Sequence, residues 1–195
     1  MQISFKFLAA ALILCAMVSP VRAENVYAAI DYGQSIVGDI CANNPAGVKG
    51  CQDTGILFRI AVGMQLAPMW AVEASYGDFG GASIGTGAGR VAGNWQGSGL
   101  QVSGIGRFPI ANQFSIIGKL GIVRADLEVA GYYPGTGFDF TDITTNVAYG
   151  IGAQYDMRKV AIRAQYENLG TIGDANTTGT TKATLLSFGL LYRLY

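Results

Sequence analysis

The sequence alternates between apolar and polar side chains, residue by residue, through eight separate segments. In residues 54–66, apolar side chains occupy every even position from Ile56 to Leu66, while Arg59 and Gln65 lie at odd positions. A period of two is typical of a β-strand with two different faces, whereas an amphipathic helix repeats every 3.6 residues. The other segments lie near residues 26–33, 69–76, 100–108, 114–122, 146–155, 160–167 and 186–194. Eight strands of about ten residues are therefore predicted, close to the 9–11 that cross a bilayer.

The connections between these strands alternate between short and long. The short ones are tight turns at Ala67-Pro68, 109–112 and 156–158. The long ones are rich in Gly, Thr, Asn and Asp and lie near residues 36–53, 77–95, 128–142 and 169–182. Loop 77–95 has no apolar anchor cluster and is predicted to be mobile. Short turns at one end and long loops at the other indicate an up-and-down meander with both termini at the short-turn end.

Charge placement decides which face of the strands meets lipid. Charged residues make up 13% of the chain, against about 25% in a typical soluble domain. Eight of them share the polar strand faces: Asp31, Arg59, Glu73, Arg107, Lys119, Arg163, Glu167 and Arg193. A soluble lipocalin-type barrel is the alternative, but its outer face would need many more charges. A lipid-facing surface excludes them, because Arg or Lys at mid-membrane costs about 2–4 kcal/mol. The predicted fold class is therefore all-β, an eight-stranded antiparallel up-and-down transmembrane β-barrel.

Aromatic residues gather near the two ends of the strands, as in the girdles at membrane interfaces. The group predicted for the long-loop side is Tyr32, Tyr76, Trp95 and Tyr166. The group predicted for the short-turn side is Trp70, Phe108, Phe114, Tyr155, Tyr192 and Tyr195.

Residues 1–23 are predicted to be a secretory signal peptide, leaving a barrel domain at 24–195. Lys6 precedes an apolar run, and Val21-Arg22-Ala23 resembles a cleavage site. The run from Phe7 to Val18 is 12 residues long, and the alternative, a transmembrane anchor, needs about 20. The two cysteines after the signal peptide, Cys41 and Cys51, are predicted to form a disulfide in an oxidising compartment, with two free thiols as the alternative.

The chain resembles the OmpA-like transmembrane β-barrel family, the small outer-membrane proteins of Gram-negative bacteria. The resemblance rests on the first strand VYAAIDYG, the strand pairs above and the C-terminal SFGLLYRLY. It implies export to the outer membrane, contact with outer-membrane lipids, and recognition of the last strand by the outer-membrane assembly machinery. Tyr195 falls one residue out of phase with Tyr192 and Leu194, which leaves the register of the last strand open.

The predicted function is structural or surface-binding and not catalytic. The eight inward charges, five basic and three acidic, are expected to pair and plug the lumen, because an unpaired buried charge is costly. The chain has no histidine, and enzymes among similar small barrels generally rely on one; no metal or cofactor is expected. Acidic and basic residues balance at 13 each, so nucleic acid is not an expected partner. The alternatives are a narrow ion or small-solute pore, or adhesin-like binding of a surface ligand or envelope protein through the long loops.

Overall fold

The computed structural model describes residues 26–38, 48–86, 92–133, 136–173 and 181–194. Nearly all of these residues lie in strands. The strands are β1 (Val26–Val37), β2 (Val48–Gln52), β3 (Thr54–Ala67), β4 (Trp70–Thr86), β5 (Ala92–Pro109), β6 (Phe114–Tyr133), β7 (Thr136–Met157), β8 (Val160–Ile172) and β9 (Thr181–Arg193). The predicted signal peptide and Cys41 lie outside the described residues.

Eight of the strands close into an antiparallel barrel, which confirms the predicted fold class. Each of these strands pairs with its neighbours along the chain, and β1 closes the barrel by pairing with β9 from Tyr27–Arg193 to Val37–Ala183. The ninth strand, β2, is a short addition that pairs with the far end of β4 and lies in the predicted loop 36–53. Cys51 belongs to this strand, opposite Ile84.

The barrel wall has an apolar outer face and a mixed inner face, as the alternation predicts. On β1, for example, Ile30 and Tyr32 are exposed while Tyr27 and Asp31 are buried. Exposed apolar side chains cover the outside of every barrel strand, as a surface in contact with lipid tails requires. The girdle prediction is wrong for Trp95. This residue pairs with the buried Ala82 and packs against the inner apolar residues.

Two of the predicted loops are instead extensions of the barrel strands. β4 and β5 pair as far as Gly85–Ala92, and β6 and β7 pair as far as Tyr133–Thr136. These hairpins could not be predicted from the alternation of apolar and polar residues. Strands outside the membrane need no apolar outer face, so the alternation in them is weak. The prediction that 77–95 lacks an apolar anchor is also wrong, since Phe79 is buried within the upper lumen.

The inside of the barrel is layered along its axis. Near the short-turn end, small and apolar side chains such as Ala61, Ala71 and Ile117 form a lower apolar layer. Near the long-loop end, Leu57, Val123, Leu185 and their neighbours form an upper apolar layer. No helix in the described part of the chain is long and apolar enough to cross a bilayer. Charged side chains occupy the space between the two layers.

Candidate functional site

Six charged side chains from five strands meet between the two apolar layers. The position of Arg59 along the barrel axis shows this: the inward-facing residues on either side of it in β3 are Leu57 of the upper layer and Ala61 of the lower layer. We call this set the charge ring, and its members are Asp31, Arg59, Glu73, Lys119, Arg163 and Glu167. All six are among the eight inward charges singled out from the sequence.

The ion pairs link the six residues into one closed cycle in which positive and negative charges alternate. Arg59 contacts Asp31 at 2.9 Å and Glu167 at 2.5 Å. Lys119 contacts Glu167 and Glu73, both at 3.2 Å. Arg163 closes the cycle through Glu73 at 2.6 Å and Asp31 at 2.9 Å. Every member therefore has two partners of opposite charge.

The charge ring is buried and electrically balanced. Each of its residues is 4% exposed or less, and three positive charges face three negative ones. Removing such groups from water is costly, so each must recover the loss through its partners. Coulomb attraction is stronger at low dielectric, and the two contacts per residue supply it without a net charge. The six side chains are therefore held inside the barrel by contacts with one another.

Neutral polar residues complete the charge ring, and the sequence analysis did not single them out. Gln101 accepts a hydrogen bond from Arg59 at 3.3 Å and donates to Glu167 at 3.2 Å. The Tyr27 hydroxyl donates to Glu73 at 3.1 Å. Both residues lie at inward-facing positions of the alternating strands, which can be recognised in the sequence. Neither carries a charge, so neither is among the eight inward charges predicted to pair.

Two glycines provide the space that the long charged side chains need. A Cβ atom at Gly189 would lie 2.0 Å from Asp31 Oδ1 and 3.0 Å from Arg163 Cγ. A Cβ atom at Gly150 would lie 2.7 Å from Glu167 Cγ. The charge ring therefore requires glycine at these two positions.

The remaining two predicted charges, Arg107 and Arg193, do not join the charge ring. Both pair with Asp156 near the short-turn end, in what we call the mouth cluster. Their side chains are 25% and 26% exposed, so water screens these pairs more than those of the charge ring. The predicted tight turn at 156–158 begins later than expected: Asp156 lies in β7, and the turn is formed by Arg158 and Lys159.

The described residues contain no group of three or more His, Cys, Asp or Glu side chains arranged to hold a metal ion. The predicted disulfide cannot be placed, since Cys41 lies outside the described part of the chain.

The β6–β7 hairpin continues past the end of the β7–β8 pairing, and in the described part of the chain β7 has a backbone partner there on one side only. The backbone ladder between β7 and β8 ends at Tyr149–Asn168. Beyond it, side chains make the connection: Asn146 donates to the Thr171 carbonyl at 2.5 Å, and Thr144 accepts from the Gly173 amide at 3.2 Å. Within the described residues, 136–143 of β7 pair with β6 alone. This hairpin carries Asp126, Glu128, Asp139 and Asp142, with Arg124 at its base.

Comparison with solved structures returns outer-membrane barrels. Ail of Yersinia pestis, in complex with the heparin analogue sucrose octasulfate, is 18% identical with a TM-score of 0.57, over 87% of this chain and 98% of that chain. Neisserial surface protein A is 14% identical with a TM-score of 0.59, over 87% and 97%. The N-terminal β-barrel domain of Pseudomonas aeruginosa OprF is 12% identical with a TM-score of 0.50, over 87% and 97%. At these identities the likeness concerns the fold alone.

The sequence comparisons are more specific about the family. No curated protein matches the chain in sequence. The family profile of the OmpA-like transmembrane domain matches residues 21–195, which include every strand of the barrel. The chain therefore belongs to the OmpA-like transmembrane domain family of outer-membrane β-barrels.

Proposed function

We propose that this protein is a closed, non-catalytic barrel that holds an acidic β-sheet outside the outer membrane for contact with a basic surface of another macromolecule. The observation that carries the proposal is the contrast between the two parts of the molecule. Mutually paired charges are buried inside the barrel, while the β6–β7 hairpin carries carboxylates and, in the described residues, continues past the end of the β7–β8 pairing.

The charge ring supports a structural role for the lumen. Every charged member has two partners of opposite sign, so none is left to bind a passing ion or substrate. The absence of histidine from the sequence supports the non-catalytic part of the proposal, since a general acid or base that titrates near neutral pH is most often an imidazole.

The charge of the hairpin indicates which partners suit it. In barrels of this class the long loops are extracellular, so the hairpin faces the medium. Within the described hairpin, Asp126, Glu128, Asp139 and Asp142 outnumber Arg124. Electrostatic complementarity then favours a basic partner and disfavours a polyanion. Ail was solved with a heparin analogue, and we propose that this chain differs from it in that respect.

Binding by whole cells tests this proposal. Cells displaying the protein are expected to adhere to an immobilised basic protein such as histone and not to adhere to immobilised heparin. A variant with Asp126→Asn, Glu128→Gln, Asp139→Asn and Asp142→Asn should lose the adhesion and keep its folded state. Asp156→Asn, at the opposite end of the barrel, is the matched control. Equal adhesion by the four-site variant, or a preference for heparin, would contradict the proposed partner class.

A further inference from the structure

A narrow cavity lies at the long-loop end of the lumen, within the upper apolar layer. Its walls include Phe79, Ala82, Trp95, Leu127 and Ile172. The cavity is partly open to solvent. An apolar cavity in contact with water is unfavourable when empty, because its walls have neither packing partners nor hydrogen bonds to offer.

One polar group on the wall of this cavity has no partner. The Ser35 side chain is 1% exposed, and its Oγ atom makes no hydrogen bond within the described residues. Buried hydroxyl groups in folded proteins nearly always have a partner, so an unpaired one requires an explanation. Ser187 Oγ is also unpaired, but Ser187 does not line the cavity and so provides a comparison.

We propose that this cavity binds a small, neutral, single-chain molecule with an apolar body and one hydroxyl or carbonyl oxygen. The apolar walls would receive the chain, and Ser35 would exchange a hydrogen bond with the oxygen, as in pockets where a few polar groups fix the orientation of an apolar ligand. A carboxylate headgroup fits poorly, because no Lys or Arg is among the described residues that line the cavity, and a buried charge without a partner is costly.

Fluorescence of Trp95 reports directly on this cavity. The chain has two tryptophans, and Trp70 lies on the lipid-facing surface at the other end of the barrel. Trp70→Phe therefore leaves Trp95 as the only tryptophan. The probes are 6-bromohexan-1-ol and 1-bromohexane, whose bromine quenches a tryptophan in contact with it. The protein is titrated with each probe after folding into phosphatidylcholine nanodiscs.

Saturable quenching of Trp95 by bromohexanol is expected. Ser35→Ala should lower the affinity for bromohexanol about 5-fold, which corresponds to one ordinary hydrogen bond. The affinity for bromohexane should not change. Ser187→Ala should leave both probes unchanged. Gly97→Val should abolish saturation: Gly97 lines the cavity, and its added Cβ would have no neighbour closer than 3.8 Å, so the substitution fills space without a backbone clash. Gly118→Val is the matched control, because no atom lies within 4 Å of that Cβ position.

Two results would overturn the proposal. One is quenching that rises linearly with probe concentration and is the same with and without Gly97→Val, since this indicates collisions from the lipid phase. The other is equal affinity of bromohexanol for Ser35→Ala and its parent. A difference in gel mobility between boiled and unboiled samples verifies that each variant is folded. If Gly97→Val does not fold, the comparison of Ser35→Ala with Ser187→Ala still tests the proposal.

Discussion

Replacing Glu73 by glutamine opens the charge ring while keeping the size and shape of the side chain. Glu73 forms ion pairs with Lys119 and Arg163 and accepts a hydrogen bond from the Tyr27 hydroxyl. The substitution leaves Lys119 with Glu167 as its acidic partner and Arg163 with Asp31. The charge ring then holds three positive charges and two negative ones, all buried.

The expected loss follows from the burial of the broken pairs. Removing one partner of a buried ion pair typically costs about 3–5 kcal/mol. Glutamine can still accept a hydrogen bond from Arg163 or Tyr27, so we expect the lower end, about 3 kcal/mol. Against a typical total stability of 5–15 kcal/mol, this is a large change that equilibrium unfolding resolves easily.

The assay is urea unfolding of the barrel in lipid vesicles, followed by tryptophan fluorescence and by boiled against unboiled gel mobility. Glu73→Gln combined with Lys119→Gln restores a balanced set of charges. Its loss should be smaller than the sum of the single losses by about 1–2 kcal/mol. Glu73→Gln combined with Arg107→Gln, in the mouth cluster, should be additive within about 0.5 kcal/mol. A loss below 0.5 kcal/mol for Glu73→Gln alone would refute the view that the charge ring stabilises the barrel.

Three further substitutions or modifications have defined outcomes. Gly189→Ala places a Cβ atom 2.0 Å from Asp31 Oδ1 and should sharply reduce the folded fraction on gels, whereas Gly118→Ala, with open space around it, should fold normally. Asp156→Asn should cost about 1 kcal/mol or less in urea unfolding, because its partners are about one-quarter exposed. Intact mass spectrometry of the exported protein should give a chain that begins at Glu24, with Cys41 and Cys51 joined until a reductant is added; a retained leader or two free thiols would contradict these assignments.

The barrel could be predicted from the sequence because lipid imposes one simple rule on the outer face of each strand. Ile56, Phe58 and Ile60 on β3 are apolar at every second position, and Arg59 between them faces inward. The requirement for apolar outward-facing residues does not apply to the parts of the strands outside the membrane. Beyond it the strands of the β4–β5 and β6–β7 hairpins are held by backbone hydrogen bonds, which leave little trace in side-chain type.

The candidate site could be predicted as a set of inward charges but not as a closed cycle. The choice of partner depends on the register of each strand pair. Asp31 of β1 and Arg163 of β8 both lie opposite Gly189 of the intervening β9, where the missing side chain leaves room for them to meet. For the same reason the sequence could not separate Arg107 and Arg193 from the other charges. Their height in the barrel places them beside Asp156 instead.

Planar-bilayer conductance tests most directly whether the charge ring closes the lumen. The alternative function, a narrow pore, requires a continuous aqueous path through the barrel. With six interlocked side chains that are each 4% exposed or less, we expect the purified, folded protein to give no steady openings at neutral pH. Reproducible openings of one defined size, obtained with protein whose folded state is verified on gels, would contradict a closed lumen.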